Sequence, residues 1–257
     1  MSTTIKRSQV KTFLNTGTLI SPTWSLIGDG VTTGEIAMNP KTTEETNISD
    51  DNATITVDSY SPTLPIEQVA KNGDAVFEYL DSLRKDRDIL DNAVTEIVNV
   101  WIYETPALTY YYAEKQSVSL QIDKFGGDGG KAAKIGYTIN FVGDPVLGEF
   151  SPTDLAFLAS PINTILTTMV IGSVTLAPLF ATDKAWLHYA GSVSNGTDAV
   201  TMTSTLAGAT IVQKVASTTV SQGDPASLSV GLNHLTIKVT VGTEEVTYHI
   251  DITRAAS

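Results

Sequence analysis

The chain has no cysteine, which excludes a disulfide framework, a thiolate metal site and a cysteine nucleophile. It is also poor in positive charge: 16 Lys and Arg stand against 28 Asp and Glu, for a net charge of −12. Clustered basic residues are what hold nucleic acid by counterion release, so any relation to DNA must be one of avoidance. Long apolar runs are missing too. The segment around Val170–Gly172 falls far short of the ~20 residues a membrane helix needs, and Lys6 and Arg7 are followed by no apolar stretch of the signal-peptide kind. The expectation is a soluble chain with no membrane insertion and no signal-peptidase processing. Its 257 residues suffice for two domains, each with its own core.

The charge that is present is unevenly placed. Residues 1–154 hold 22 acidic against 12 basic residues and residues 155–257 hold 6 against 4, so −10 of the −12 lies in the first part. The second part is rich in Ser and Thr, as β modules that meet solvent through hydroxyls are. Its end spells a hairpin. Leu235, Ile237, Val239 and Val241 alternate with polar residues, as do Val246, Tyr248, Ile250 and Ile252, with a turn at Gly242–Glu245 between them. A lone hairpin is marginal in water, so a covering sheet must come from upstream, where 174–180, 200–204 and 209–212 read as short strands.

The first part reads as strands, one helix, then strands. Asn72-Gly-Asp74 is a helix start, Val76, Tyr79, Leu80 and Leu83 recur at helical spacing, and Arg84–Asp88 forms a charged tail, giving about four turns. Residues 94–103 are apolar on both faces and predict a central or interfacial strand. Residues 117–125 and 133–143 alternate cleanly and form a long hairpin with a wide polar face. Residues 39–53 are a long polar insertion; loops beyond ~12–15 residues in compact domains are usually functional or disordered. Residues 148–161 read as a linker that packs on a neighbour, since Leu155, Phe157 and Leu158 are poor choices for a solvated tether.

Chemistry-bearing motifs fail on inspection. Phe125-Gly-Gly-Asp-Gly-Gly-Lys131 has the wrong spacing for a phosphate loop and Ala132 where a hydroxyl is needed, so it is read as a hairpin turn. Asp50 and Asp51 lack the regular alternation and terminal Glu of a calcium loop. His188, His234 and His249 all fall in the second part, with His249 on the outward face, and no triad partner is recognisable in sequence. Trp24, Trp101 and Trp186 are read as core or interface anchors. No catalytic residue, metal ligand or cofactor is assigned, and the chain is read as a non-enzyme.

Leu176-Ala-Pro-Leu-Phe180, Tyr189, Val230-Gly-Leu-Asn233 and Tyr248-His-Ile-Asp-Ile-Thr-Arg254 resemble the immunoglobulin-like or cadherin-like β-sandwich modules of bacterial surface and phage proteins. Asn72-Gly-Asp-Ala-Val-Phe77, Ala93-Val-Thr-Glu96, Asp123-Lys-Phe-Gly-Gly-Asp-Gly-Gly130, Ile135-Gly-Tyr-Thr-Ile-Asn-Phe141 and Gly143-Asp-Pro-Val-Leu-Gly-Glu-Phe150 resemble the major tail tube protein of long-tailed (siphovirus-type) bacteriophages. The resemblance implies a mainly β fold: a tail-tube β-sandwich or barrel domain with one α-helix over 1–152, a linker over 153–166 and an Ig-like β-sandwich over 167–257. It further implies homohexameric rings stacked into a tube, part of a virion tail assembled in the host cytoplasm. The lumen would pass tape measure protein and double-stranded DNA without specific binding, and tail terminator and distal tail proteins would be end partners. An inter-ring loop would carry Lys41, Glu44, Glu45, Asp50 and Asp51. Alternation, turn position and net charge make Glu35, Asp58, Asp123 and Asp128 the lumen candidates. The competing reading is a surface adhesin with tandem β domains, against which the absent signal peptide and the helix in the first part both count.

Overall fold

A computed structural model describes residues 4–103, 109–160, 165–182 and 186–256. The described residues are mainly β with one α-helix. It divides into two compact units: one of Thr12–Ile97 and Gln116–Asp144, the other of Met1–Lys11, Val98–Lys115 and Pro145–Ser257. An eight-stranded sheet has the order β2-β1-β7-β8-β9-β6-β3, with β10 on the end of β9. Its members are β1 (Val10–Asn15), β2 (Trp24–Leu26), β3 (Val31–Gly34), β6 (Thr63–Val69), β7 (Val94–Trp101), β8 (Tyr111–Gly126), β9 (Lys134–Ser151) and β10 (Ala156–Ala159). Among the described residues β4 (Pro40–Glu45) and β5 (Thr54–Tyr60) pair only with each other.

In the helix-bearing unit, α1 (Ala75–Asp86) forms because Asp74 caps it. The Asp74 carboxylate accepts from Phe77 N at 2.8 Å, and Arg87 ends it in the left-handed region at φ 55°. Its 12 residues make a slightly shorter helix than the spacing suggests, because the Arg84–Asp88 tail contains that left-handed cap. Val76, Phe77, Leu80 and Leu83 are buried against Leu64, Ile66, Val118, Leu120, Ile135, Tyr137 and Ile139, the inward faces of β6, β8 and β9. Burial in that core raises the Tyr137 phenol well above its ordinary range. The opposite face of these three strands carries the alternate, polar set. β7 lies between β1 and β8 and is buried from Ile97 to Val100, so a strand apolar on both faces is indeed central.

In the other unit, one core is shared by two sheets. β12 (His188–Val193), β18 (Glu244–Arg254), β17 (Gly231–Val241), β14 (Thr210–Val215) and β15 (Thr218–Val220) make the larger; β11 (Thr168–Ile171), β13 (Ala199–Thr205) and β16 (Pro225–Ser227) make the smaller. The terminal hairpin is β17–β18, with Leu235, Ile237, Val239, Val246, Tyr248, Ile250 and Ile252 buried as alternation predicts. Three of the motif residues have visible tasks. Tyr248 OH accepts from Leu166 N at 3.0 Å, and Arg254 donates to Leu228 O at 2.7 Å and to Asn195 O at 2.8 and 3.0 Å. Asn233 ties off the turn before β17, bonding to Ser229 N and O at 2.8 Å where Gly231 has φ 93°.

Three expectations need correction. Residues 174–180 form no strand beyond an isolated bridge from Ala177 to Ala190; Pro178 has no N–H to give a ladder. The insertion at 39–53 is not a structureless loop but most of the β4–β5 hairpin. Residues 148–160 are a second hairpin, in which β10 folds back on β9 with Phe157 opposite Phe150. Gly148 is required there: a Cβ would sit 2.1 Å from Leu158 O. Residues 161–164, which fall within the expected 153–166 linker, lie outside the described residues.

Candidate assembly surfaces

The first candidate surface is the β4–β5 ribbon. Thr-rich and β-branched residues suit an extended pair, and the register runs from Pro40 opposite Tyr60 to Glu45 opposite Thr54, with an irregularity between Lys41 and Thr42. Its neck is pinned. Asn39, left-handed at φ 44°, donates through Nδ2 to Ser61 O and Thr63 Oγ1, both at 3.1 Å. Beyond the neck every residue of both strands is exposed, including Ile55, Val57 and Tyr60, and Ile48 at the tip is fully so. Lys41, Glu44, Glu45, Asp50 and Asp51 all lie on this ribbon or its tip. Asn47 Nδ2 donates to Asp50 at 2.9 Å, and Thr43 Oγ1 donates to Asp58 at 2.5 Å. Asp58, expected toward a lumen, is thus on β5 of the same ribbon.

The second surface is the open face of β6, β8 and β9. Asp123 accepts from Thr138 Oγ1 at 2.8 Å and from Gln121 Nε2 at 2.6 Å. Beside it Glu67 bridges two lysines, Lys124 Nζ to Oε2 and Lys134 Nζ to Oε1, each at 2.5 Å. Hydrogen bonds from Lys124 and Lys134 hold the Glu67 carboxyl down to about 2, and the bond to Glu67 in turn holds the Lys124 ammonium up. Of the four lumen candidates only Asp123 is on this face. Asp128 is in the β8–β9 turn, where its carbonyl accepts from Lys131 N at 3.1 Å, and Glu35 is exposed just after β3. Glu67, Lys124 and Lys134 escape sequence reasoning because their pairing depends on a strand register; the alternation of 134–140 is the signal that could have found them.

A third polar cluster is internal. Glu149 Oε1 accepts from Leu187 N at 2.7 Å and His188 N at 3.2 Å, and Oε2 lies 2.5 Å from His188 Nδ1, with both side chains buried. The His188 ring stacks between Tyr110 at 3.8 Å and His249 at 4.8 Å. His249 is therefore half-covered, and burial followed by the charge of His188 pushes its pKa down. A carboxylate–imidazole pair resembles two parts of a hydrolytic triad. Here both carboxylate oxygens are spent on the backbone and ring, and the ring faces are spent on stacking, so the arrangement fastens β9 to the start of β12. Among the described residues no three His, Asp or Glu side chains are grouped to hold a metal, and no helix is long and apolar enough to cross a membrane.

No family profile matches the sequence, and neither does any curated protein. Among solved structures, the tail of an empty GTA particle, refined helically with C6 symmetry, is 14% identical over 56% of this chain and 98% of its own, with a TM-score of 0.43. The six-fold symmetrised baseplate of the anti-feeding prophage is 11% identical over 57% and 97%, with a TM-score of 0.34. Likenesses at this level assign no function.

Proposed function

We propose that the chain is a structural virion protein that polymerises as stacked hexameric rings into the tail tube of a long-tailed bacteriophage, the conduit for genome ejection. In this reading residues 1–152 build the tube, 153–166 connect, and 167–257 are an outward Ig-like decoration. The chain then has no enzymatic activity; tape measure protein and double-stranded DNA pass through it, and tail terminator and distal tail proteins meet its ends.

The observation that carries the reading is the β4–β5 ribbon. A two-stranded sheet is marginal in water unless a face is covered, yet this one has apolar and polar residues exposed on both faces. Its natural cover is another copy, the next ring. Closing the sheets of several subunits into one barrel would also pair the edges that β2 and β3 leave open. Negative-stain microscopy of the purified chain at high concentration is the test. Tubes or stacked rings are expected; monodisperse monomers would contradict the proposal.

A further inference from the structure

The open face of β6, β8 and β9 is charge-balanced rather than acidic: Glu67 and Asp123 stand with Lys124 and Lys134. The balance is built into the backbone. Glu67 on β6 lies directly opposite Gly136 on β9. A Cβ at Gly136 would come within 2.7 Å of Cγ and Cε of Lys124, so the missing side chain is the space in which the Lys124 stem crosses β9 to reach Glu67. Lys134 reaches the same carboxylate from β9 itself. Both lysine side chains are more than half exposed, and ion pairs so exposed add little to stability. Stability alone therefore does not explain a glycine that clears a path for a lysine.

We propose that Glu67 is a charge mask: it occupies the ammonium groups of Lys124 and Lys134 so that this face does not retain the phosphate backbone of double-stranded DNA. The purpose rests on the conduit reading above, since a polymer carrying a charge about every 1.7 Å would be slowed wherever stacked subunits offered it unpaired lysines. The masking itself is a property of the single chain. It persists across the ordinary pH range, because the two ammonium groups beside it hold the Glu67 carboxyl well below the usual carboxylate range.

Fluorescence anisotropy of a labelled 30-base-pair duplex, titrated with the full chain at 50 to 200 mM salt, tests it. The wild type and Glu44→Gln, which removes one negative charge from the ribbon, should show no measurable binding. Glu67→Gln should bind, with a log–log salt slope near −1.8 for two freed lysines, about a tenfold change over that range. Gly136→Ala changes no charge but displaces the Lys124 stem, and should bind with roughly half that slope. Adding Lys124→Gln and Lys134→Gln to Glu67→Gln should abolish the gain. Circular dichroism checks that each variant folds, and Gly136→Ala carries the test if Glu67→Gln does not. Duplex binding by the variants no stronger than by Glu44→Gln would overturn the mask. Microscopy of the same samples reads tube formation separately, so a failed mask and a failed conduit are told apart.

Discussion

Two antiparallel hairpins in this chain differ in almost everything but topology. β17–β18 alternates buried residues with half-buried or exposed ones along most of its length and closes a shared core, while β4–β5 is exposed at every position. Both are rich in Thr and β-branched residues, so propensity does not separate them. What separates them is cover: the first has it within its own unit, and the second has to find it outside. A hairpin's energetic contribution should therefore appear as folding stability in one case and as assembly in the other.

The largest effect is expected in the covered hairpin. Ile250→Ala, at a fully buried position of β18, should cost about 2–5 kcal/mol in denaturant unfolding. A loss below about 1 kcal/mol would mean that this core is not the one holding the unit together. Next comes the internal clasp. Glu149→Ala leaves the buried Leu187 and His188 N–H groups without their acceptor and should cost about 1–3 kcal/mol, read in the same way.

A smaller, pH-dependent effect belongs to His249. Its folded-state pKa lies below its unfolded value of about 6.5, so the neutral ring favours the fold. That stability is complete above the unfolded pKa and is lost as pH falls through the folded one. Melting temperature should fall between pH 7 and pH 5, and His249→Gln should flatten the dependence; an unchanged slope would place the titration elsewhere. His188 stacks on it and is itself stacked with Tyr110 and bonded to Glu149, while Asp251 on the same strand raises its pKa. The smallest effect on folding is predicted for the exposed ribbon, where Ile55→Ser with Val57→Ser should change stability by no more than about 0.5 kcal/mol while abolishing tube formation.

The same contrast explains what the sequence reveals. Strands covered on one face announce themselves by alternation, as at 135–141 and 235–252, and α1 is announced by Asp74 and its apolar spacing. The ribbon does so only in part: Ile55 and Val57 alternate with polar residues on β5, but the partner strand Pro40–Glu45 is polar after its first residue and offers no matching apolar side. Continuation of β9 to Ser151 is hidden by Gly143-Asp-Pro145, which reads as a break although the strand passes through it. The Glu149–His188 contact joins positions 39 apart in the chain, and the Glu67 bridges join positions on three strands. Neither follows from local pattern, since each depends on tertiary register.

Deleting residues 42–52 and imaging the product beside the full chain tests the central claim most directly. The account predicts tubes from the full chain, and from the deletion a subunit with an unchanged thermal midpoint that forms no tubes. Tubes of normal length from the deletion would contradict it.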